Sequence, residues 1–306
     1  DSFRRLMHAA QGIPAVRCAV AHPCSPDAIA GALDAADEGL IVPVLVGPIA
    51  KLRAVAAEAG LDLGKAELVD VPHSHAAAEK AVELVRTGQA ELLMKGSLHT
   101  DELLGAVVAR ETGLRTGRRL SHAFLMDVPT YHKVLLVTDG AINIAPTLDE
   151  KADICQNAID LARAFGVAQP KVAILAAVET VTTKMPATID AACLCKMAER
   201  GQITGGLLDG PLAFDNAISA EAARTKQIMS PVAGDPDILL APDLEAGNIL
   251  AKQLSFLANA DSAGLVLGAR VPIILTSRAD SVRSKVASCA VAVLAAHARR
   301  QGRAPA

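Results

Sequence analysis

The sequence predicts a mixed α/β protein of two domains, each with a mostly parallel sheet flanked by helices. Short runs rich in Val, Ile and Leu alternate with longer Ala-rich runs along the whole chain, and this alternation is typical of repeated β-α units. The chain has 306 residues, of which 51% are hydrophobic. It is therefore long enough for two domains and apolar enough to fill a core in each.

Four β-α units are predicted in the first part of the chain. Their strands are 16–23, 40–47, 66–72 and 91–97. The helices that follow are predicted from Ser25 or Pro26 to about Glu38, over 48–60, over 75–88 and over 100–113. Because helices join the successive strands, we expect these strands to run parallel.

Residues 119–138 interrupt this alternation. Two strands, 119–128 and 131–139, flank the turn-forming pair Pro129-Thr130, which predicts an antiparallel excursion. The alternation then resumes, with helix 149–166, strand 170–178, helix 187–200, strands 204–212 and 237–243, helix 244–258, strands 262–268 and 271–276, and a final helix from Asp280 to about Arg300.

The polar stretch 138–147 is the best candidate for a domain boundary. We expect the final helix to return and pack on the first half of the chain. The first domain is then predicted to be discontinuous, comprising 1–138 and 276–306, and the second domain to comprise 139–275.

Composition and charge exclude several classes of function. The net charge is −3, with one Tyr and no Trp, so neither a basic surface nor stacking platforms for nucleic acid are expected. No uncharged apolar run reaches the ~18 residues of a membrane span, and the N-terminus lacks the apolar middle of a signal peptide. The six cysteines follow no pattern, which favours a reducing, cytoplasmic compartment.

The histidines do not predict a metal site. His73 and His75 precede a helix without a carboxylate at ligand spacing, and His99 and His122 are unpaired in the sequence. Because the chain has no HExxH motif and no Cys/His cluster, we expect no zinc. Capping or surface roles are expected for His73 and His75.

The last predicted strand ends in Thr276-Ser277-Arg278, and ligands of such sheets bind beyond the carboxyl ends of the strands. Asp280 alone could cap the following helix, which leaves the two hydroxyls and the guanidinium without a capping role. An arginine beside hydroxyls just before a helix N-terminus is suited to bind an anion such as phosphate. We therefore predict an anion site at these three residues.

A second anion site is predicted at Lys95-Gly96-Ser97. Here a strand ends in a lysine, a glycine that permits close approach, and a serine, followed by a helix capped by Thr100 or Asp101. The order of Gly and Lys differs from that of a Walker loop, and no GxGxxG is present. Nucleoside triphosphate hydrolysis and dinucleotide binding are therefore disfavoured.

Asp209 and Asp215 lie on either side of the Gly210-Pro211 pair. Two interpretations stay open: a structural Asp-Gly-Pro turn, or a role for Asp215, at the start of a helix, in orienting substrate or accepting a proton. The segments 230–234 and 241–248 are expected to form loops above the sheet, where Gly and Asn suit close approach to a ligand.

Six stretches, in this order along the chain, resemble the phosphate acetyltransferase/phosphate butyryltransferase family: MKGSLHT, TDGAINIAPT, TGGLLDGPLAFDNA, SPVAG, APDLEAGN and LTSRADS. They span nearly the whole chain. The resemblance is strongest to the phosphotransacylase half of bifunctional enoyl-CoA hydratase/phosphate acetyltransferases, and nothing in the chain resembles the hydratase half.

The resemblance implies transfer of a short acyl group, acetyl or butyryl, between coenzyme A and inorganic phosphate. It also implies a fold related to the isocitrate/isopropylmalate dehydrogenases, an active-site cleft between the domains, and a homodimer formed through the second domain. Coenzyme A is then a substrate, and no tightly bound cofactor or metal is implied. Arg278 is expected to hold the phosphate, and Ser277 to hydrogen-bond to the reacting centre.

The same stretches carry the remaining expected substrate-binding residues, which are Lys95, Gly96, Ser97, His99, Asp139, Asn143, Asp209, Gly210, Pro211, Ser230, Gly234 and Thr276. One position departs from the family. Acetyl-specific relatives have an Asp in the first turn after the Ser-Arg pair, proposed as the base for the CoA thiol, and Ser284 stands there in this chain. Asp280 and Asp215 are the substitute candidates, and SRADS resembles the butyryl-type branch.

Other functions stay open at this point. An acyl-carrier-protein:phosphate acyltransferase belongs to the same fold group, and a non-catalytic CoA-binding module is compatible with the missing carboxylate at Ser284. An oxidoreductase of the dehydrogenase branch is disfavoured, because the sequence shows no cluster of Asp residues for its metal.

Overall fold

The structure is a computed structural model, and it describes residues 1–64, 66–276 and 280–303. Contacts between residues divide the chain into two units. Among the described residues, the N-terminal unit comprises Phe3–Arg118 and the stretches 263–276 and 280–303, and the central unit comprises Arg119–Ser262 together with Asp1 and Ser2. Residues 119–138 therefore lie in the central unit and residues 263–275 in the N-terminal unit, the reverse of the predicted domain assignment.

The strands are β1 (Val16–Ala21), β2 (Ile41–Gly47), β3 (Glu67–Asp70), β4 (Leu92–Lys95), β5 (Ser121–Asp127), β6 (Leu135–Thr138), β7 (Lys171–Leu175), β8 (Leu207–Leu212), β9 (Ile238–Leu240), β10 (Asp261–Leu267) and β11 (Ile273–Ile274). The helices are α1 (Ser2–Gln11), α2 (Pro26–Asp37), α3 (Ile49–Glu58), α4 (Ser74–Arg86), α5 (Thr100–Val108), α6 (Leu148–Ala164), α7 (Pro186–Glu199), α8 (Phe214–Ile218), α9 (Ala220–Thr225), α10 (Leu244–Leu257) and α11 (Val282–Arg300). The predicted mixed α/β class is confirmed, while α1 and the short α9 were missed. None of the helices that the described residues form is long and apolar enough to cross a membrane.

The sheet of the N-terminal unit has the strand order β3-β2-β1-β4-β11-β10. All neighbours pair in parallel except β10 and β11, which are antiparallel. β1 lies in the middle, and its residues Cys18 to Ala21 are fully buried. The last helix, α11, packs against α2 in this unit.

The strands of the central unit follow the order β5-β6-β9-β7-β8. β5 and β6 form the predicted antiparallel pair, and the other neighbours run parallel. Buried apolar side chains, among them Met126, Val137 and Leu239, form the core of this unit. The predicted antiparallel excursion is thus present, while the antiparallel pair β10–β11 of the N-terminal unit was not predicted.

Two predicted helix caps are corrected by the structure. Ser281, and not Asp280, is the N-cap of α11, because its side chain accepts a hydrogen bond from the main-chain N of Ser284. α5 begins at Thr100, so that His99 occupies the cap position without a side-chain cap bond. His73, by contrast, caps α4 as predicted, with Nδ1 accepting from the N of Ala76 at 3.1 Å.

Of the two interpretations left open for Asp209-Gly210-Pro211, the structural turn is wrong. Asp209, Gly210 and Pro211 lie inside strand β8 rather than in a turn. A Cβ on Gly210 would lie 2.7 Å from the Cβ of Ile174 on the neighbouring strand. The glycine therefore permits a close approach of β8 to β7 and does not mark a reversal of the chain.

Candidate active site

Three strand ends of the N-terminal unit lie side by side. β1, β4 and β11 are parallel neighbours, so the segments that follow Ala21, Lys95 and Ile274 meet at one edge of the sheet. The chain continues from β1 to β2 and β3 on one side, whereas β4 lies on the other side of β1. The edge between β1 and β4 is thus a topological switch point, where open α/β sheets bind their ligands.

Gly96 and Ser97 fasten the segment after β4 to the segment after β1. The N of Gly96 donates to the carbonyl of Ala21 at 2.9 Å. Ser97 Oγ donates to the carbonyl of His22 at 2.8 Å and accepts from the N of Cys24 at 3.0 Å. A Cβ on Gly96 would lie 2.2 Å from the carbonyl oxygen of Ala21, so only glycine fits this contact.

A small pocket opens at the switch point, between the first turns of α2 and α11 and the ends of β4 and β11. Its lining residues are Ser25, Asp27, Ala28, Gly31, Met94, Lys95, Gly96, Ser97, Thr276 and Lys285. The structure therefore brings the predicted Lys95-Gly96-Ser97 site together with Thr276. Lysines, hydroxyls and a helix N-terminus are groups that bind anions.

Lys285 lines the pocket although it was not predicted as a site residue. In the sequence it is one lysine in the first turn of a long helix, a position where a solvated side chain is the ordinary expectation. Only the packing of α11 on α2 turns it toward this pocket. The available signal was weak: Lys285 is followed by the long apolar run of a buried helix.

The Ser277-Arg278 pair lies outside the described residues, so its placement is not assigned. Thr276 is the last described residue before the pair, and Asp280, directly before the cap of α11, is the first described residue after it. Ser284, where acetyl-specific relatives are expected to have Asp, is buried, and its Oγ lies 3.2 Å from Ser281 Oγ. His99 is exposed and is not among the residues that line the pocket.

Asp139 and Asn143 form a closed turn after β6 in the central unit. Both are buried. The Asp139 carboxylate accepts from the N atoms of Ala141 and Ile142 at 2.8 and 3.0 Å, and from Asn143 Nδ2 at 2.6 Å. Asn143 Nδ2 also donates to the carbonyl of Leu120 at 2.9 Å. These side chains hold the turn in shape, and their polar atoms are largely occupied within it.

The two aspartates around Gly210-Pro211 have different surroundings. The Asp209 carboxylate accepts a hydrogen bond from the N of Gly210 at 2.9 Å. It lies near the Cys195 thiol, whose pKa is raised to about 12 by burial of the thiol and by the negative charge of Asp209. Asp215 lies in α8, as predicted at a helix start, and its carboxylate is 3.5 Å from Lys226 Nζ. Asp215 is therefore an exposed carboxylate with a cationic neighbour.

Ser230 and Gly234 shape the loop before β9. Ser230 Oγ accepts from the N atoms of Val232 and Ala233 at 3.0 and 3.1 Å. Gly234 has a positive φ of 90°, and a Cβ there would lie 2.5 Å from the Cα of Ala220. A side chain at 234 is thus excluded both by the backbone conformation and by space.

The predicted site residues consequently form one set in each unit. The lysine, hydroxyl and helix-end set lies at the β1–β4 switch point, and the Asp, Asn, Ser and Gly set lies at strand ends and loops of the central unit. In the part of the chain that the structure describes, no three His, Cys, Asp or Glu side chains converge as a metal ion would require.

A mixed α/β fold with a pocket at a topological switch point, lined by lysines and a helix N-terminus, is typical of enzymes that act on phosphorylated small molecules. The family model described as "Phosphate acetyl/butaryl transferase" matches residues 73–293. The chain belongs to this family.

Individual relatives agree with the family match. The chain is 65% identical over 300 residues to a phosphate acetyltransferase of Rhizobium meliloti, covering 98% of this chain and 95% of that protein. It is 43% identical over 263 residues to a phosphate butyryltransferase of Clostridium acetobutylicum, covering 86% and 87% of the two chains. A branched-chain phosphotransacylase from Enterococcus faecalis V583 has a similar structure, with a TM-score of 0.81 and 32% identity over 92% of this chain and 99% of that one.

Proposed function

We propose that the chain transfers a short acyl group, acetyl or butyryl, between coenzyme A and inorganic phosphate in a ternary complex. The observation that carries this proposal is the pocket at the β1–β4 switch point, where Lys95, Ser97 and Thr276 meet the N-terminus of α2. Relatives named for acetyl and for butyryl transfer share most of the chain, which supports both acyl groups as candidates.

The reaction requires two substrates to be held in line. In the direction of acyl phosphate formation, a phosphate oxygen attacks the thioester carbonyl carbon, a C–O bond forms, and the C–S bond breaks. CoA leaves as a thiolate and takes up a proton. Negative charge grows on the carbonyl oxygen before CoA leaves, and a positioned donor for that charge is worth roughly 10²–10³-fold in rate.

We assign the phosphate to Arg278 and a hydrogen bond to the reacting centre to Ser277. A guanidinium binds two phosphate oxygens at once and so fixes the direction of attack. Coenzyme A acts as a substrate in this scheme, and orientation of the two bound substrates supplies a large part of the catalysis.

Asp280 and Asp215 are the candidate catalytic bases, because the CoA thiol must lose its proton in the reverse direction. Asp215 offers an exposed carboxylate at the start of α8, 3.5 Å from Lys226 Nζ. Asp280 lies just after the Ser-Arg pair in the sequence. Replacing each aspartate by Asn distinguishes the two candidates. The catalytic base is the aspartate whose replacement lowers kcat and changes the dependence of kcat on pH.

The second set of residues is proposed to contact substrate through the turns that it shapes. Asp139, Asn143, Asp209 and Ser230 already accept or donate hydrogen bonds with neighbouring protein groups. Direct substrate contacts from these segments are therefore expected to come from main-chain groups, including those of Gly210, Pro211 and Gly234. His99 is proposed to contact the substrate from the exposed start of α5.

We propose a homodimer that forms through α10 of the central unit. Phe256 and Leu257 at the end of this helix are 79% and 82% exposed, and Ile249 is also exposed. Beside them runs an apolar groove of about 730 Å³, lined by Leu250, Leu254 and other residues. Contiguous apolar surface of this kind is typical of protein–protein contacts.

The six free cysteines support a reducing, cytoplasmic location.

The test of the proposed activity is the formation of thioester from acyl phosphate and CoA. Acetyl, propionyl and butyryl phosphate are each incubated with CoA and the protein, and thioester absorbance is followed. We expect turnover that depends on both substrates, with one acyl group preferred. If none of the three gives CoA-dependent thioester, while an acyl-carrier protein does, the acceptor is a carrier protein and the proposal is wrong.

A further inference from the structure

Lys285 is a buried cation in the first turn of α11. It is 7% exposed, and its Nζ donates to the main-chain carbonyl of Asp27 at 3.4 Å, the long end of the hydrogen-bonding range. Its aliphatic stem passes over Gly31, where a Cβ would lie 2.9 Å from Lys285 Cδ. The helix α2 thus has a glycine at the position where the lysine side chain crosses it.

The surroundings of Lys285 differ from those of Lys151, the other lysine that is buried among the described residues. Lys151 is 5% exposed, and its Nζ forms an ion pair with Asp190 at 2.8 Å. Among the described residues, no carboxylate lies within ion-pair distance of Lys285. Asp27 lines the same pocket, but only its carbonyl bonds to the ammonium. A buried ammonium without a counter-ion is costly, so a bound anion would stabilise it.

The pocket in front of Lys285 collects further groups that attract anions. Lys95 lines it from the end of β4, and Thr276 contributes a hydroxyl, whereas the Ser97 hydroxyl already donates its proton to the carbonyl of His22. The N-terminus of the twelve-residue helix α2, capped by Ser25, supplies the positive end of a helix dipole. Ser284, the residue before Lys285, is neutral, so it does not compensate the ammonium charge.

The size and place of the pocket narrow the choice of anion. Its volume of about 30 Å³ is roughly twice the space that one water needs, so it admits a group of a few heavy atoms and excludes a nucleoside. It lies at the β1–β4 switch point, where this fold class binds ligands. These features fit a single phosphate group.

We propose that Lys285, which lines this pocket together with Lys95, is a phosphate-binding residue of the enzyme. The inference rests on the proposed function and adds a residue that the family's Ser-Arg pair does not include. The phosphate group belongs either to inorganic phosphate and acyl phosphate or to coenzyme A, and the small volume favours the first source.

The test compares Lys285→Met with the intact protein and with Arg53→Met, an exposed cation on α3 of the same unit. Loss of a charge-assisted contact is expected to raise the KM for inorganic phosphate about ten- to a hundredfold. The KM for CoA is expected to stay unchanged, and Arg53→Met to behave as the intact protein. A raised KM for CoA but not for dephospho-CoA would instead assign the pocket to the CoA 3′-phosphate.

A binding measurement keeps the test independent of turnover. The melting temperature is measured with inorganic phosphate against chloride at equal ionic strength. Phosphate should raise the melting temperature of the intact protein and of Arg53→Met, and raise it much less for Lys285→Met. Gly31→Ala is the second variant and serves if Lys285→Met does not fold. Its methyl group presses on the lysine stem without removing the charge, so phosphate should raise its melting temperature less than that of the intact protein, but more than that of Lys285→Met.

The outcome that overturns the proposal is specific. If the intact protein is active and Lys285→Met and Gly31→Ala retain its KM for phosphate and CoA and its phosphate-induced stabilisation, Lys285 binds no phosphate. Failure of the proposed function would look different, since the intact protein itself would then show no acyl transfer.

Discussion

Single residues at the end of β4 and in the first turn of α11 shape the pocket. The sequence predicted Lys95, Gly96 and Ser97 because a lysine, a glycine and a hydroxyl follow a strand. It did not predict Lys285, because the direction of a helical side chain depends on which neighbour the helix packs against. Likewise, the hydrogen bonds that occupy Asp139 could not be foreseen from residue type alone.

Replacement of Ser97 by Ala tests how the strand-end segments are held together. It removes two hydrogen bonds, to the carbonyl of His22 and from the N of Cys24. We expect the free energy of unfolding to fall by about 1–3 kcal/mol, and kcat/KM to fall as well, because Lys95 loses its fixed position. Urea unfolding and steady-state kinetics measure the two effects.

Thr225→Ala is the matched control, since its exposed hydroxyl also donates to a main-chain carbonyl, that of Glu221. It should cost less stability than Ser97→Ala and leave kinetics unchanged. Equal effects of the two replacements would contradict the role given to Ser97.

Replacement of Arg278 by Ala tests the proposed phosphate contact. Loss of a guanidinium that clamps phosphate is expected to raise the KM for phosphate or lower kcat by at least ~10²-fold. Arg270→Ala is the control, because Arg270 precedes β11 at the opposite end of the strand. Kinetics of Arg278→Ala that match those of the control would remove Arg278 from the site.

The strands and helices were predicted better than their arrangement. Alternation of apolar and Ala-rich runs located the β-α units and the antiparallel β5–β6 pair. The sequence could not place β4 beside β1, or β9 between β6 and β7, because strand order depends on contacts between distant segments. That order creates the switch point, so the pocket followed only from the structure.

An ion network joins the starts of the central strands. Lys133, just before β6, lies 3.0 Å from both Asp235 and Asp237, which precede β9. Lys171, at the start of β7, lies 2.8 Å from Asp235. Burial acts to raise the pKa of Asp235, but the hydrogen bonds and charges of the two lysines outweigh it and lower that pKa to about 2.

The network predicts a pH-dependent contribution to stability. A carboxyl whose pKa is lowered in the folded state stabilises the fold above its unfolded pKa of about 3.8 and loses this contribution as the pH falls toward 2. Asp235→Asn should therefore lower the urea midpoint at pH 6, and the difference from the intact protein should narrow between pH 4 and 2.

A double-mutant cycle with Lys171→Met checks the cause. At pH 6, the double replacement should lower the free energy of unfolding by less than the sum of the two single replacements, because each single replacement already removes the same ion pair. Additive effects, or a difference that does not change between pH 6 and pH 3, would contradict the assignment.

At the scale of the whole molecule, the exposed apolar face of α10 bears on assembly. Phe256→Glu places a charge in the proposed contact, which should weaken the dimer. The mass in solution should then fall from twice the chain mass of 31.5 kDa toward the mass of one chain. Sedimentation equilibrium measures this mass. Met229→Glu, at an almost fully exposed loop residue, is the control and should leave the mass unchanged.

A monomeric intact protein would contradict the proposed homodimer. An unchanged dimer in Phe256→Glu would place the contact elsewhere and remove α10 from the account. Neither result would alter the assignment of the pocket, because every residue that lines it belongs to the N-terminal unit.

The central claim is that an acyl group passes directly from CoA to phosphate. Acyl-CoA is incubated with the protein and with inorganic phosphate labelled with ¹⁸O at all oxygens, and the product is analysed by mass spectrometry. Because a phosphate oxygen attacks the carbonyl carbon, no P–O bond breaks, and the account predicts acyl phosphate that retains every labelled oxygen together with an equal amount of free CoA. Release of CoA with free carboxylic acid, at a rate independent of phosphate, would contradict it.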